Sequence, residues 1–469
     1  MRYRGISGTP CYHAVLQSRG FLKKMRDRIT KSPLGQLSSL ERTGCARSLF
    51  WCVLIALGVR LIVVAFAYRG FLVPERDHWL FGFEAGKIAR SIALGHGFGN
   101  PYYGGNTGPT AELGPVLPYI MAGVFKLFGI YSKASALAML GLNSLFSALT
   151  CIPIFFIARK SFGIRVARWA MWAWAFFPYS IYFSADSMWD HVMIALLLTC
   201  IFWASLELQD TSRLSAWAGF GLLCGFTALA NAVVLSVLPF LGGWACYKLH
   251  KKGKEWLRPA LLAGVLSCAV VLPWMIRNYL VFRAPVFLRD TFALTFDTGN
   301  IGNSLHWWNS DLDPCGSASE MAEFHRMGEY AYMAQESKLE HDYLKEHFGI
   351  VALRSFRRFV YMWTGFWSFN KTYLQEEVFD LYNIPFCTAL TILALVGLRK
   401  MYLCDPQSIV SYAALLIVFP LVYYIANPEM GYREAYDPEV VILICCAIVS
   451  WRSRAREERA EREPDVVSA

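Results

Sequence analysis

The chain has 469 residues, 55% hydrophobic, 15% aromatic and 17% charged, and so carries more apolar surface than a water-soluble fold of this size buries. Its formal charge of +10 gathers at the ends and in short loops; with no RNA- or DNA-binding motif present, that charge is a membrane-orientation signal and no nucleic-acid partner is expected. The 13 cysteines are scattered, several inside apolar runs (Cys52, Cys151, Cys224), without the spacing of a disulfide framework or a zinc site.

Residues 1–48 form a basic tail, too long before the first apolar run for an ordinary secretory signal, and are expected in the cytoplasm. The first span is Leu49–Tyr68, with Arg60 inside it, which places 69–114 outside as a first outer loop. Within that loop the spacing of Phe83, Lys87, Arg90 and Leu94 against Ile88 and Ile92 predicts an amphipathic helix lying along the membrane. Pro115–Gly129 is short for a crossing. A second crossing there would strand Arg159 and Lys160 outside, so it is expected to be re-entrant or interfacial.

Spans then follow at Ala134–Ala158, Trp169–Phe183, His191–Ser205, Leu214–Ala230, Val233–Lys248, Pro259–Met275, Pro385–Leu398, Ile409–Ile425 and Glu439–Trp451, ten crossings in all with the first. The second large outer segment, 277–354, carries a capping box at Ser317 and Glu320 and a helix stop at Gly349. After it, Phe356–Phe369 is expected as an interfacial helix with Trp363 and Trp367 at headgroup depth. Residues 452–469 are a charged cytoplasmic tail, making 49–451 one embedded domain of an all-α polytopic membrane protein.

The candidate chemistry lies outside. Asp77 and Glu84 are carboxylates at the outer lipid boundary, and the competing reading is that they are solvated loop charges. The short turn between two spans confines Asp186, Asp190 and His191 near the bilayer surface, where ionisable groups are costly; helix-end caps are the alternative. Cations come from Arg277, beside Asn278, and from Arg433, beside Tyr432. An arginine fork holds a phosphate and an aromatic neighbour covers a sugar face, whereas snorkelling to headgroups is the plainer role.

In their order, Ile88-Ala89, Ile92, Gly95, Gly97-Phe98, Pro109-Thr110-Ala111, Pro115, Pro118, Leu127-Phe128-Gly129, Trp189-Asp190, Pro273-Trp274, Arg277-Asn278, Gly299-Asn300 and Tyr432-Arg433 before Pro438 resemble the GT-C superfamily of membrane glycosyltransferases. The likeness is greatest to bacterial relatives of protein O-mannosyltransferase and of the lipid A aminoarabinose transferase. It covers about Arg60 to Ile448. The resemblance implies a multi-pass protein of a bacterial inner membrane with its active site on the outer, periplasmic side. It also implies inverting transfer of a sugar from a polyprenyl-phosphate donor to a glycan, lipid or protein acceptor.

It implies a catalytic carboxylate in the first outer loop, with Glu84 or Asp77 as base and Asp190 orienting. The lipid phosphate falls to Arg277 and Arg433, with Tyr432, Asp186, His191 and Asn278 as further substrate contacts. No cofactor is required, although related oligosaccharyltransferases use a divalent ion. Where the family often has an Asp or Asp-Glu pattern, this chain has Phe81-Gly82 and Ala85, which keeps open a GT-C-like subunit without catalysis. A transporter or flippase would show internal repeats and midplane polar groups; no repeat is visible, and Arg60, Lys126 and Asn231 are the strong polar residues within the apolar runs.

Overall fold

A computed structural model describes residues 39–71, 81–102, 106–186, 188–302, 306 and 308–462, the side chains of 39–43, 67–71 and 453–462 excepted. Asp77 lies outside the described residues. The described chain is helical, without a strand. Among the described residues, six helices are long and apolar enough to cross a membrane: Gly44–Phe66, Lys133–Phe162, His191–Leu208, Ala232–Lys251, Leu257–Phe282 and Asp380–Cys404. Three shorter apolar helices accompany them, Val116–Phe128, Leu214–Ala230 and Ile409–Ile425. The chain is built as an integral membrane protein.

The first helix, α1 (Ser39–Phe71), carries Arg60 into the bundle. The outer-loop helix α2 (Glu84–Ala93) packs on α3 (Val116–Phe128). It buries Ala85, Lys87, Ile88, Ala89 and Ser91. Its apolar face therefore meets protein where a lipid surface was expected. At 13 residues, α3 is about 20 Å long, short of a hydrocarbon core of about 30 Å.

Two expected spans are broken helices. Lys133–Phe162 divides at Thr150 into α4 (Lys133–Leu149) and α5 (Cys151–Phe162), with Pro153 in the first turn of the second half, where its missing N–H is tolerated. Likewise α6 (Ile164–Ala175) ends before Pro178, which opens α7 (Pro178–Asp186). The carbonyls freed at that break are satisfied by Arg60, whose guanidinium donates to Ala175 O at 3.0 Å and Trp174 O at 3.2 Å and also to Ser147 and Ser180. The arginine in the first span is thus a structural clasp for a helix end.

From the outer turn, α8 (His191–Leu208) runs to a cluster in which Lys160 and Lys252 pair with Asp210 at 2.8 and 2.5 Å. That basic cluster sits about 27 Å from Asp190 along the helix axis. Next come α9 (Leu214–Ala230), a 3₁₀ turn at Ala232–Ser236, α10 (Leu238–Lys251) and α11 (Leu257–Phe282). The following outer segment contains α12 (Phe292–Asn300), α13 (Ala318–Met327) and α14 (Glu329–Thr364). The capping box is partly realised, since Ser317 accepts from the Glu320 N–H.

Close to the stop expected at Gly349, the backbone turns non-helical at His347; the helix resumes beyond this kink, so α14 spans 36 residues in all and ends at Gly365 (φ 70°). Phe356–Phe369 is accordingly the tail of α14 and the turn after it. Trp367 is buried against Tyr361, and the Trp363 indole donates to the Tyr424 hydroxyl at 2.7 Å. The remaining helices are α15 (Lys371–Glu376), α16 (Asp380–Cys404), α17 (Ile409–Ala413), continued through a π turn at Ala414–Val418 to α18 (Leu421–Ile425), and α19 (Asp437–Arg462).

Candidate functional site

Phe81, Gly82 and Ala85 stand where the resemblance implied acidic residues, and their packing explains the departure. Phe81 and Ala85 are each 1% exposed, and Phe81 is wedged between the rings of Phe125 and Tyr131. Gly82 has φ 67°, and a Cβ there would meet the Met188 carbonyl oxygen at 2.6 Å. Glu84 is the acidic residue that stands between Phe83 and Ala85. It begins α2, where the helix N-terminus favours a negative charge.

Glu84 is half-buried, and burial pushes its carboxyl up to about 7, aided by the Asp313 charge and opposed by its own backbone N–H, Lys87 and Arg289. Glu112 is 6% exposed. One of its oxygens accepts from the Tyr102 hydroxyl at 2.9 Å, and burial, then Glu84 and Glu329, hold its carboxyl well above the usual range. Asp290 is raised to about 6, mainly by burial. The result is a ring of carboxyls with incomplete charge compensation, which binds protons more tightly than free carboxylates do.

Arg289 lies within electrostatic reach of Glu84 and Asp290 on one side and of Tyr423 and Tyr432 on the other. Its Nε donates to the Glu112 carbonyl at 2.8 Å and its Nη2 to Thr291 Oγ1 at 3.1 Å, while Nη1 has no hydrogen-bond partner among the described residues. Beyond it, Asp190, His191, Ile194, Asn231, Tyr423, Tyr432 and Ala435 line a narrow recess. Asn231 donates to Asp190 at 2.9 Å, and the Tyr423 and Tyr432 rings stack at 4.2 Å. Gly431 admits the His191 ring, since a Cβ there would lie 2.3 Å from Nδ1.

The other expected substrate contacts sit differently. Arg277 donates to Thr110 O and Phe98 O, both at 2.7 Å, and to Asn278 at 3.0 Å. These bonds tie the first outer loop to the end of α11, and Asn278, fully buried, completes the tie by donating to Val286 O. Asp186 is half-buried on the outer turn and accepts from the Tyr182 hydroxyl. Arg433, expected at the phosphate, is 0% exposed and pairs with the equally buried Asp437 at 2.9 Å, with a further bond to Met362 O. So enclosed, Arg433 holds helices together in this structure, with Nη2 left without a hydrogen-bond partner among the described residues.

Removing that pair one side at a time leaves a charge stranded in the bundle. R433M is expected to lower stability by about 3–5 kcal/mol, with R433M/D437L recovering much of the loss; unfolding in detergent at matched protein concentration checks both. Among the described residues, no three His, Cys, Asp or Glu side chains converge as metal ligands.

Residues 111–276 match the family model of dolichyl-phosphate-mannose-protein mannosyltransferases. The structure is similar to the oligosaccharyltransferase AglB of Archaeoglobus fulgidus, solved with an inhibitory peptide and a dolichol-phosphate, at 14% identity over 92% of this chain and 53% of that one, with TM-score 0.52. The chain shares the fold of this oligosaccharyltransferase. It spans about half the length of AglB. ArnT of Cupriavidus metallidurans, solved with undecaprenyl phosphate, is more distant at 15% identity over 86% of this chain and 78% of that one, TM-score 0.38. No curated protein matches the sequence significantly.

Within this fold the segment matched by the family model includes Glu112, Asp190 and Asn231 and stops one residue before Arg277, so Glu84, Arg289, Tyr423 and Tyr432 rest on this chain's own geometry. Sequence reasoning passed over Arg289, Asp290 and Glu329. The signal available for the first two was a single charged step, Arg289-Asp290-Thr291, between the apolar stretches Ala284–Leu288 and Phe292–Phe296.

Proposed function

We propose that this protein transfers a sugar from a polyprenyl-phosphate donor to an acceptor hydroxyl on the non-cytoplasmic face, with inversion. The observation that carries the reading is that a half-buried carboxyl, Glu84, lies within electrostatic reach of a partly unpartnered arginine, Arg289. Both lie at the opposite end of α8 from the lysine cluster around Asp210. Cationic loops favour the cytoplasmic side, which supports an outward-facing site. A lipid-phosphate ligand is supported by the AglB complex with dolichol-phosphate.

In this mechanism the acceptor oxygen attacks the anomeric carbon and its proton passes to Glu84. The bond from that carbon to the phosphate oxygen breaks, and the polyprenyl phosphate leaves with an added negative charge. Arg289, anchored at Nε, offers Nη1 to that charge, so it stabilises the transition state more than the ground state. Asp190, oriented by Asn231, holds the acceptor or sugar hydroxyls beside the Tyr423/Tyr432 stack. No step runs through a metal.

The test is transfer of radiolabelled sugar from polyprenyl-phosphate donors in proteoliposomes, comparing the wild type with E84Q, D77N and D190N. Turnover by the wild type that one of the carboxylate variants loses while still binding donor supports the reading. Donor binding without turnover by the wild type points to a non-catalytic subunit.

A further inference from the structure

Three consecutive residues of the first outer loop are gripped by three different elements. Thr110 offers its carbonyl to Arg277 Nη1 at 2.7 Å, Ala111 donates its N–H to Glu329 Oε1 at 2.5 Å, and Glu112 offers its carbonyl to Arg289 Nε at 2.8 Å. Arg289, the cation assigned to the leaving phosphate, is thus only as well placed as this tripeptide. Glu329 supplies its central tie.

Glu329 opens α14 behind Gly328, which offers no side-chain cap. An acidic residue at that position ordinarily serves the N–H groups of its own helix. This one is 4% exposed and reaches a residue 218 positions earlier in the chain. The Asp290 carboxyl faces it, so the residue next to Arg289 is joined to it as well. Two carboxyls held together away from water keep one proton between them, and burial holds both above the ordinary range, Asp290 at about 6.

We infer that Glu329 is a positioning residue: by holding Ala111 it sets the 110–112 segment so that Arg289 meets the donor phosphate. The inference rests on the proposed transfer reaction. It makes the outer helical segment a working part of the donor site. The charged groups facing Glu329 are Asp290, Glu112 and Arg277. When the shared proton is lost at alkaline pH, two carboxylates face each other with a third nearby, the loop tie loosens, and donor KM rises.

The test uses the full chain in proteoliposomes with a polyprenyl-phosphate sugar as donor. It reads kcat and donor KM from about pH 6 to about pH 9, alongside hydrogen–deuterium exchange of the peptide carrying residues 106–114. In E329A, donor KM is expected to rise about tenfold or more and the Ala111 amide to exchange faster. E329Q keeps an acceptor for Ala111 and a donor for Asp290. It is expected to stay within about threefold of wild-type KM and to lose the alkaline rise.

Wild-type KM and exchange in E329A would overturn the inference, as would an E329Q variant as impaired as E329A at every pH. If the wild type turns over no such donor, the proposed function fails separately. The exchange measurement then decides the loop tie by itself, with unchanged exchange in E329A refuting it.

Discussion

Glu84→Gln should reduce sugar transfer by about 10²–10⁴-fold while leaving donor binding within a few-fold of wild type, because a positioned general base contributes roughly that factor. The wild-type pH profile should carry the same signature. With its carboxyl raised to about 7 by burial, Glu84 accepts a proton only once ionised, so kcat/KM should climb about tenfold per unit on the acid side and level off above about pH 7. The stability effect has the opposite sign. A carboxyl whose folded value lies above its unfolded value near 4.5 favours the folded state below that unfolded value, and the contribution is lost as pH rises through about 7.

At pH 8, therefore, Glu84→Gln should be inactive yet no less stable than wild type, and at pH 5 the stability difference should close. Thermal unfolding in detergent and initial rates on one preparation check both together. A Glu84→Gln enzyme that retains wild-type turnover would remove the carboxylate from the mechanism and move attention to Asp77. A flat pH profile from pH 5 to 9 would argue against any base raised in this way.

Arg289→Met should cost about 10²–10³-fold in kcat, the range typical of a lost charge stabiliser of the transition state, with a further rise in donor KM because the leaving phosphate is also present in the ground state. Arg289→Lys restores the charge without the planar fork. A lysine cannot hold Glu112 O and Thr291 Oγ1 while offering a third nitrogen to phosphate, so recovery should be partial. Arg277→Lys should act differently. Its nitrogens hold Thr110 O and Phe98 O, so loop exchange should quicken and the loss should fall more on KM than on kcat. An Arg289→Met enzyme with full activity would show that the phosphate is bound elsewhere.

The assignments that changed between sequence and structure share one cause. Arg277, two residues before Tyr279, and Arg433, directly after Tyr432, each stand near an aromatic residue close to the end of an apolar run, a pattern equally suited to binding a phosphate or to closing a helix bundle. Which of the two applies depends on partners far away in sequence: Thr110 and Phe98 for Arg277, and Met362 together with Asp437 for Arg433. Arg289 lies inside the outer segment 277–354, beyond the end of the preceding expected span, so no span boundary marks it. It becomes a candidate only when the chain brings Glu112 against its Nε and Tyr432 within its field.

Composition and apolar run length were sufficient for the membrane character, and ordered small motifs for the GT-C likeness, because both are properties of contiguous segments: a helix crossing lipid satisfies its backbone internally and its side chains report their solvent locally. The helix breaks at Thr150 and Phe177 escaped that reading, since an apolar run looks the same whether it is straight or broken. α14 differs: the local stop read at Gly349 corresponds to a kink two residues earlier, at His347, across which the helix resumes. The composition of the site was decided by tertiary structure alone. Charge effects act across space, so Glu84, Glu112, Arg289, Asp290 and Glu329 became one electrostatic unit only when the first outer loop, the 289–291 step and the start of α14 were packed together.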